Sequence, residues 1–260
     1  MIKLNGQMYQ ICCITAATKK ALKEKSVISY TPLKYENRTE FQFLPEKILF
    51  NTKKQKAENV PAWYDYCLNK GLQDVKFIAP VAVKDRNILG FSNTTQSSIV
   101  CFYEGSKVTF FSAQWEFDSV QKLWNILYTE QEWKDVPLGK PHFENNIDSF
   151  KSVLSEIKEF ALKIDCNNFA MIFQKALDIL MGCSDYTDTT YHLTLPEIPE
   201  ENLHLFEAAS TADVFGAMGS WNDSPSYMAH EKGMDKEYEF LSSELLKQVR
   251  LATLYAVNEW

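Results

Sequence analysis

Hydrophobic and polar positions change their period once along this chain, near residue 140. Before that point the apolar residues come in short runs rich in β-branched and aromatic side chains. Tyr9–Ile14, Ser26–Tyr30, Glu40–Leu44 and Val75–Val81 each predict a strand. Ser98–Tyr103 and Val108–Trp115 flank the turn Glu104-Gly105-Ser106, a hairpin signal, and Leu123–Trp133 extends the pair into a meander. Two short helices interrupt the strands, at Ala16–Glu24 and Pro61–Asn69. The second has proline where the first helical turn tolerates it and Gly71 just past its end.

The segment Asp135–His142 is the clearest boundary, with two prolines and a glycine. Beyond it the apolar period is 3.6. Ile147, Phe150, Val153, Leu154, Ile157, Phe160, Ala161 and Ile164 share one helical face. Phe169, Ala170, Ile172, Phe173, Ala176, Leu177 and Leu180 share another. Asp165-Cys166-Asn167-Asn168 predicts a stop and an N-cap between the two, and Gly182 ends the second helix. A polar loop follows at Ser184–Thr190. Glu200–Met218 reads as a third helix and Asp235–Asn258, capped by Asp235, as a fourth.

The fold class expected is therefore α+β: an antiparallel-rich sheet in the N-terminal half packed against a four-helix C-terminal half. Residues 1–140 are mainly strands with short helices, and 141–260 mainly helices. The helices carry apolar stripes that need covering, so residues 1–260 are expected to form one compact unit in which 141–260 has no independent fold.

Composition narrows the class without naming an activity. The chain has 260 residues, 45% hydrophobic and 23% charged, enough to bury a large core. No apolar run approaches the roughly 18 residues of a membrane span, and the start of the chain lacks the pattern of a signal peptide. The six cysteines, Cys12, Cys13, Cys67, Cys101, Cys166 and Cys183, are scattered and form no CxxC. They read as reduced thiols of a cytoplasmic protein, mostly buried. Four widely separated histidines (His142, His192, His204, His230) give no metal-ligand spacing, so neither a metal nor a cofactor is expected.

Charge is uneven. The net of −7 divides into 19 basic and 14 acidic residues over 1–140 and 8 basic and 20 acidic residues over 141–260. Only Arg38, Arg86 and Arg250 supply guanidinium groups, and the run Lys53-Lys54-Gln55-Lys56 reads as a solvated loop; nucleic acid is disfavoured. An acidic helical half would attract a basic protein instead. Glu237, Glu239 and Glu244 of the last helix are its candidate contact residues.

The recognised catalytic signatures are missing or out of context. Neither GxSxG, GxGxxG nor GxxxxGK[ST] occurs. Ser155-Glu-Ile-Lys158 lies inside a regular amphipathic helix, and Glu201-x-x-His204 has no second copy. One stretch exceeds what a helix end needs: Asp213 to Pro225, with Gly216, Gly219 and Trp221. It reads either as a C-cap with Trp221 folded back, or as a ligand site with Trp221 as its wall and Asp213, Ser220, Asn222 and Asp223 as polar contacts. The glycines follow a helix and so face its negative end, which disfavours phosphate.

The segment Phe215–Asp223, with Pro61–Tyr66 and Trp124–Glu130, resembles a family of bacterial cytosolic proteins of similar length that has no assigned activity. The resemblance implies a bacterial cytoplasmic protein and transfers no site residues. Two functions are carried forward. The first is a protein-interaction or accessory module, of the immunity type, using its acidic helical surface. The alternative is an enzyme or small-molecule binder with its site at Gly216–Asp223.

Overall fold

The computed structural model describes residues 5–48, 51–53, 55–83, 86, 89–133, 139–183, 197–216 and 218–260. The elements, in chain order, are α1 (Gly6–Glu24), β1 (Glu36–Gln42), β2 (Glu46–Ile48), β3 (Asn51–Lys53), β4 (Lys56–Ala57), α2 (Val60–Asn69), β5 (Leu72–Ile78), β6 (Ser98–Tyr103), β7 (Val108–Asp118), β8 (Leu123–Glu132), α3 (Ile147–Lys163), α4 (Asn167–Leu180), α5 (Glu200–Ala212), α6 (Ser224–Glu231) and α7 (Asp235–Asn258). Six strands form one mixed sheet in the order β4-β1-β8-β7-β6-β5, and β2 pairs β3 separately. Strands β5 to β8 make an antiparallel meander, with Cys101 opposite Thr109 and Ala113 opposite Tyr128. The parallel pair is β1 with β8. This is an α+β fold with the sheet in the N-terminal half and the helices concentrated after it.

One apolar core joins the two halves. It runs from Phe41, Val75, Phe77, Phe111 and Tyr128 of the sheet, through Ile11 and Ile14 of α1, to Phe160, Phe173, Leu245 and Val249 of the helices. Helix α7 packs on α3, α5 and α6 and also reaches α1 and the edge strand β5. There Asn258 closes two bonds with one strand residue: Phe77 N–H donates to its Oδ1 at 2.8 Å, and its Nδ2 donates to the Phe77 carbonyl at 2.7 Å. Trp63, Tyr64, Trp115 and Tyr128 are buried, as aromatic residues filling the sheet–helix interface would be.

Several local expectations need correction. Tyr9–Ile14 is not a strand; it belongs with Ala16–Glu24 to the 19-residue helix α1. That helix is buried almost all round, so its apolar positions show no stripe, and a continuous run of Tyr, Ile and Cys resembles a strand. Ser26–Tyr30 is irregular chain. The third C-terminal helix stops at Ala212, six residues before Met218, and the extra helix α6 follows, making five helices among the described residues after residue 140. Asp235 is the first residue of α7 rather than its cap, which is Met234; Asp235 instead pairs with His230 at 2.9 Å. The α3 stop is Asp165 in a left-handed conformation (φ +59°), while Cys166 precedes α4 without a side-chain cap. Residues 135–138 of the Asp135–His142 boundary, all of Ser184–Thr190 and His192 lie outside the described residues.

Candidate functional site

The loop after α5 is built around Trp221. Gly219, at φ +81°, turns the chain, and Trp221 N–H donates back to the Val214 carbonyl at 2.9 Å. The indole is fully buried. It meets Phe169 and Phe173 edge to face at 5.2 Å, stacks on Tyr238 at 5.7 Å and donates its Nε1–H to Ser242 Oγ at 2.7 Å. The polar residues of the loop are engaged locally. Ser220 Oγ donates to the Gly216 carbonyl (2.9 Å), Asp223 Oδ2 accepts from Gly219 N–H (2.8 Å), and Asn222 Nδ2 donates to the Arg86 carbonyl (2.9 Å). Trp221 thus lies in the core and not at the mouth of a cavity, the arrangement of a helix end folded back on itself.

Asp213 faces a different set of groups from Ser220, Asn222 and Asp223. Removal from water pushes its carboxyl up to about 6, although Arg250 and the N–H groups of Asn5 and Phe215 favour the charged form. The acids expected to meet a partner each face a cation of the same chain. Glu237 pairs with Lys163 (3.2 Å), Glu239 with Arg86 (2.7 Å) and Glu244 with Lys247 (3.3 Å).

A cleft of about 590 Å³ opens elsewhere, where the start of α1 meets the long strand β7. Its position follows from strand lengths. Strand β6 begins at Ser98 opposite Ser112, whereas β7 runs on to Asp118. Beyond Ser112 the connector before β6 takes over, and Asn93 pairs both ways with the Trp115 backbone: its Nδ2 donates to the carbonyl (2.8 Å) and its Oδ1 accepts from the N–H (2.9 Å). Asn93 and Gln96 adopt left-handed conformations, φ +58° and +51°, which side chains other than glycine rarely take. Gly6 admits this packing, because a Cβ there would collide with the Phe91 ring. Phe91 in turn braces Trp115 at 5.9 Å and Trp124 at 5.7 Å.

The rim carries the exposed amides of Gln96 and Gln114, and the lining includes the hydroxyls of Ser97, Ser98 and Ser112. Deeper in the wall lie Gln7 and Trp115, 3% and 4% exposed. Gln7 Oε1 and Trp115 Nε1 are buried and find no hydrogen-bond partner among the described residues. A polar atom left so costs about 1–3 kcal/mol, and both of these atoms are withdrawn from the cleft surface although their residues line it. Among the lining residues there is no carboxylate, ammonium, guanidinium, imidazole or thiol.

The run Asn93-Thr-Thr-Gln-Ser-Ser98 marks a loop in the sequence, since it is polar, uncharged and set between apolar runs. Nothing local pairs it with Gln7, because that meeting is made by the tertiary fold. Among the described residues no group of three or more His, Cys, Asp and Glu could hold a metal, and no helix is long and apolar enough to cross a membrane. Compared with known proteins, the chain matches no family model, no curated protein and no solved structure.

Proposed function

We propose that this chain is a binding protein whose site is the cleft between the start of α1 and β7, and that its ligand is a small uncharged molecule able to donate and accept hydrogen bonds. The observation that carries this reading is the lining itself, which supplies amides from Gln7, Asn93, Gln96 and Gln114 and serine hydroxyls, and no ionisable side chain. The volume is that of small-molecule sites, about 300–1,000 Å³. An anion finds little at the nearby helix start. Gln7 N–H and Met8 N–H already donate to Asn5 Oδ1 at 3.0 and 3.2 Å, and Gln7 N–H also to the Phe91 carbonyl at 3.1 Å. The small-molecule reading thereby moves from the Trp221 loop to this cleft.

Thermal unfolding against matched sets of solutes tests it. A ligand at about 100 times its Kd adds about 2.7 kcal/mol to stability, a shift of several degrees for a chain of this size. Neutral polar compounds are expected to raise the midpoint. A rise confined to phosphates, carboxylates or amines would overturn the reading.

A second reading, a basic protein partner on the acidic helices, has its own support. Tyr227 of α6 and Phe240 of α7 are each 62% exposed, and α7 also carries Glu237, Glu239 and Glu244. Partner capture through these acids is expected to weaken steeply with salt and to collapse when all three become lysine. Equal recovery of partners by wild type and the triple variant at low salt would contradict it.

A further inference from the structure

We propose that the lysines gathered around Trp260 form a second binding site, one for a phosphate group, as the free ion or a monoester, with Lys19 at its centre. Helix α1 brings Lys19 and Lys23, β5 brings Lys76, and Lys140 comes from the chain before α3. The site is separate from the cleft, because Lys19 stands twelve residues beyond Gln7 on α1, about 18 Å along the helix axis.

Lys19 is a buried cation that the fold does not satisfy. It is 7% exposed, yet its ammonium makes no hydrogen bond among the described residues. Its ion pair with Asp74 Oδ1 is 3.7 Å long, beyond hydrogen-bonding reach. Both nearby carboxylates are already engaged. Asp74 Oδ1 accepts from Val75 N–H and its Oδ2 from Lys140 Nζ, each at 2.8 Å. Glu259 Oε1 accepts from Lys76 Nζ at 2.7 Å and from Phe143 N–H at 3.2 Å, and its Oε2 meets His142 Nδ1 at 2.9 Å. Lys23 and Lys19 lie over the same Trp260 ring, at 4.4 and 5.7 Å.

Burial holds the Lys19 pKa below its ordinary value. Asp74 and Glu259 oppose that shift, while Lys76 and Lys23 add to it. An anion seated among these groups would supply the counter-charge that Lys19 lacks. Its Nζ is not among the unpartnered atoms sealed from solvent, which leaves it open to an arriving ion. Charge and shape then select phosphate. Four lysines set against Asp74 and Glu259 leave a net charge of +2, the match for a dianion. A tetrahedral dianion has acceptor oxygens enough for Lys19 and Lys23 together, and lysine serves phosphate as a point charge.

Titration calorimetry of the full chain in chloride of constant ionic strength tests this, at about pH 8, where phosphates carry their second charge. The probes are inorganic phosphate and glycerol 2-phosphate, with acetate as the singly charged comparator. Saturable binding of at least one phosphate probe is expected, about tenfold weaker in Lys19→Gln, the loss of one charged partner. Lys20→Gln should bind as wild type does, because Lys20 turns away to Glu197 at 2.6 Å. Should Lys19→Gln fold poorly, Lys23→Gln, at an exposed position, carries the same comparison. Tighter binding of the monoester assigns the site to an organic phosphate, and tighter binding of the free ion to phosphate itself. No saturable binding of either probe, acetate bound as tightly, or the same affinity in the Lys19 or Lys23 variant as in Lys20→Gln would overturn the proposal and leave the cleft reading standing.

Discussion

Two tryptophans of this fold differ in what their indole N–H groups meet. Trp221 Nε1 finds Ser242 Oγ at 2.7 Å and closes the core beneath the α5–α6 loop, whereas Trp115 Nε1, equally buried, is left unmet at the cleft wall. In the sequence the first looked more like a site, because glycines and small polar residues surround it, and a helix end uses the same residues. Asp213 is another residue whose surroundings decide its chemistry. Desolvation raises its pKa from 3.8 to about 6, so between those values the folded chain holds a proton that the unfolded chain has lost. Stability attributable to this group is therefore greatest at low pH, falls as pH rises through about 4 to 6, and stays reduced above. Asp213→Asn removes the titration. Its thermal midpoint relative to wild type is expected to improve between about pH 4 and pH 7, and an unchanged difference across that range would show that Asp213 ionises in the fold as it does in water.

Among the elements, legibility followed the number of faces each one buries. Helices α3 and α4 bury one face, and the residues assigned to their stripes include Phe150, Val153, Leu154, Ile157 and Phe160 on α3 and Ala170, Phe173, Ala176 and Leu177 on α4, all buried. The β6–β8 meander was readable because tight turns join strands of matching period. Helix α1 was not, since it packs between sheet and α7 and has apolar residues on every side. At eight residues α6 is too short to set up a period, although Pro225 in its first turn was a usable start signal. The parallel pairing of β1 with β8 joins strands distant in sequence, and no local pattern announces it. The cleft suffers the same limit. Its Asn93–Ser98 side carries the polar signal of a loop, while no local pattern singles out Gln7.

At the scale of the whole molecule, the opposite charges of the two halves partly meet each other. Lys20 pairs with Glu197, Lys76 with Glu259 and Arg86 with Glu239, and Asn258 ties α7 to the edge strand. The uneven charge that suggested a basic partner therefore also holds the helical half against the sheet. The cleft is built within the N-terminal half, from α1, the connector before β6 and β7.

The most direct measurement is the thermal midpoint of Gln7→Met against wild type, both free of ligand. Methionine matches glutamine in length and helix propensity but has no strong acceptor to leave unpaired. If Gln7 Oε1 is buried beside the cleft without a partner, removing it relieves a desolvation cost. The variant should then melt higher, by about 2–4 °C for each kcal/mol relieved. A midpoint lower by a comparable margin would mean that the Gln7 amide is bonded within the fold, and would contradict the account of the wall beside the cleft.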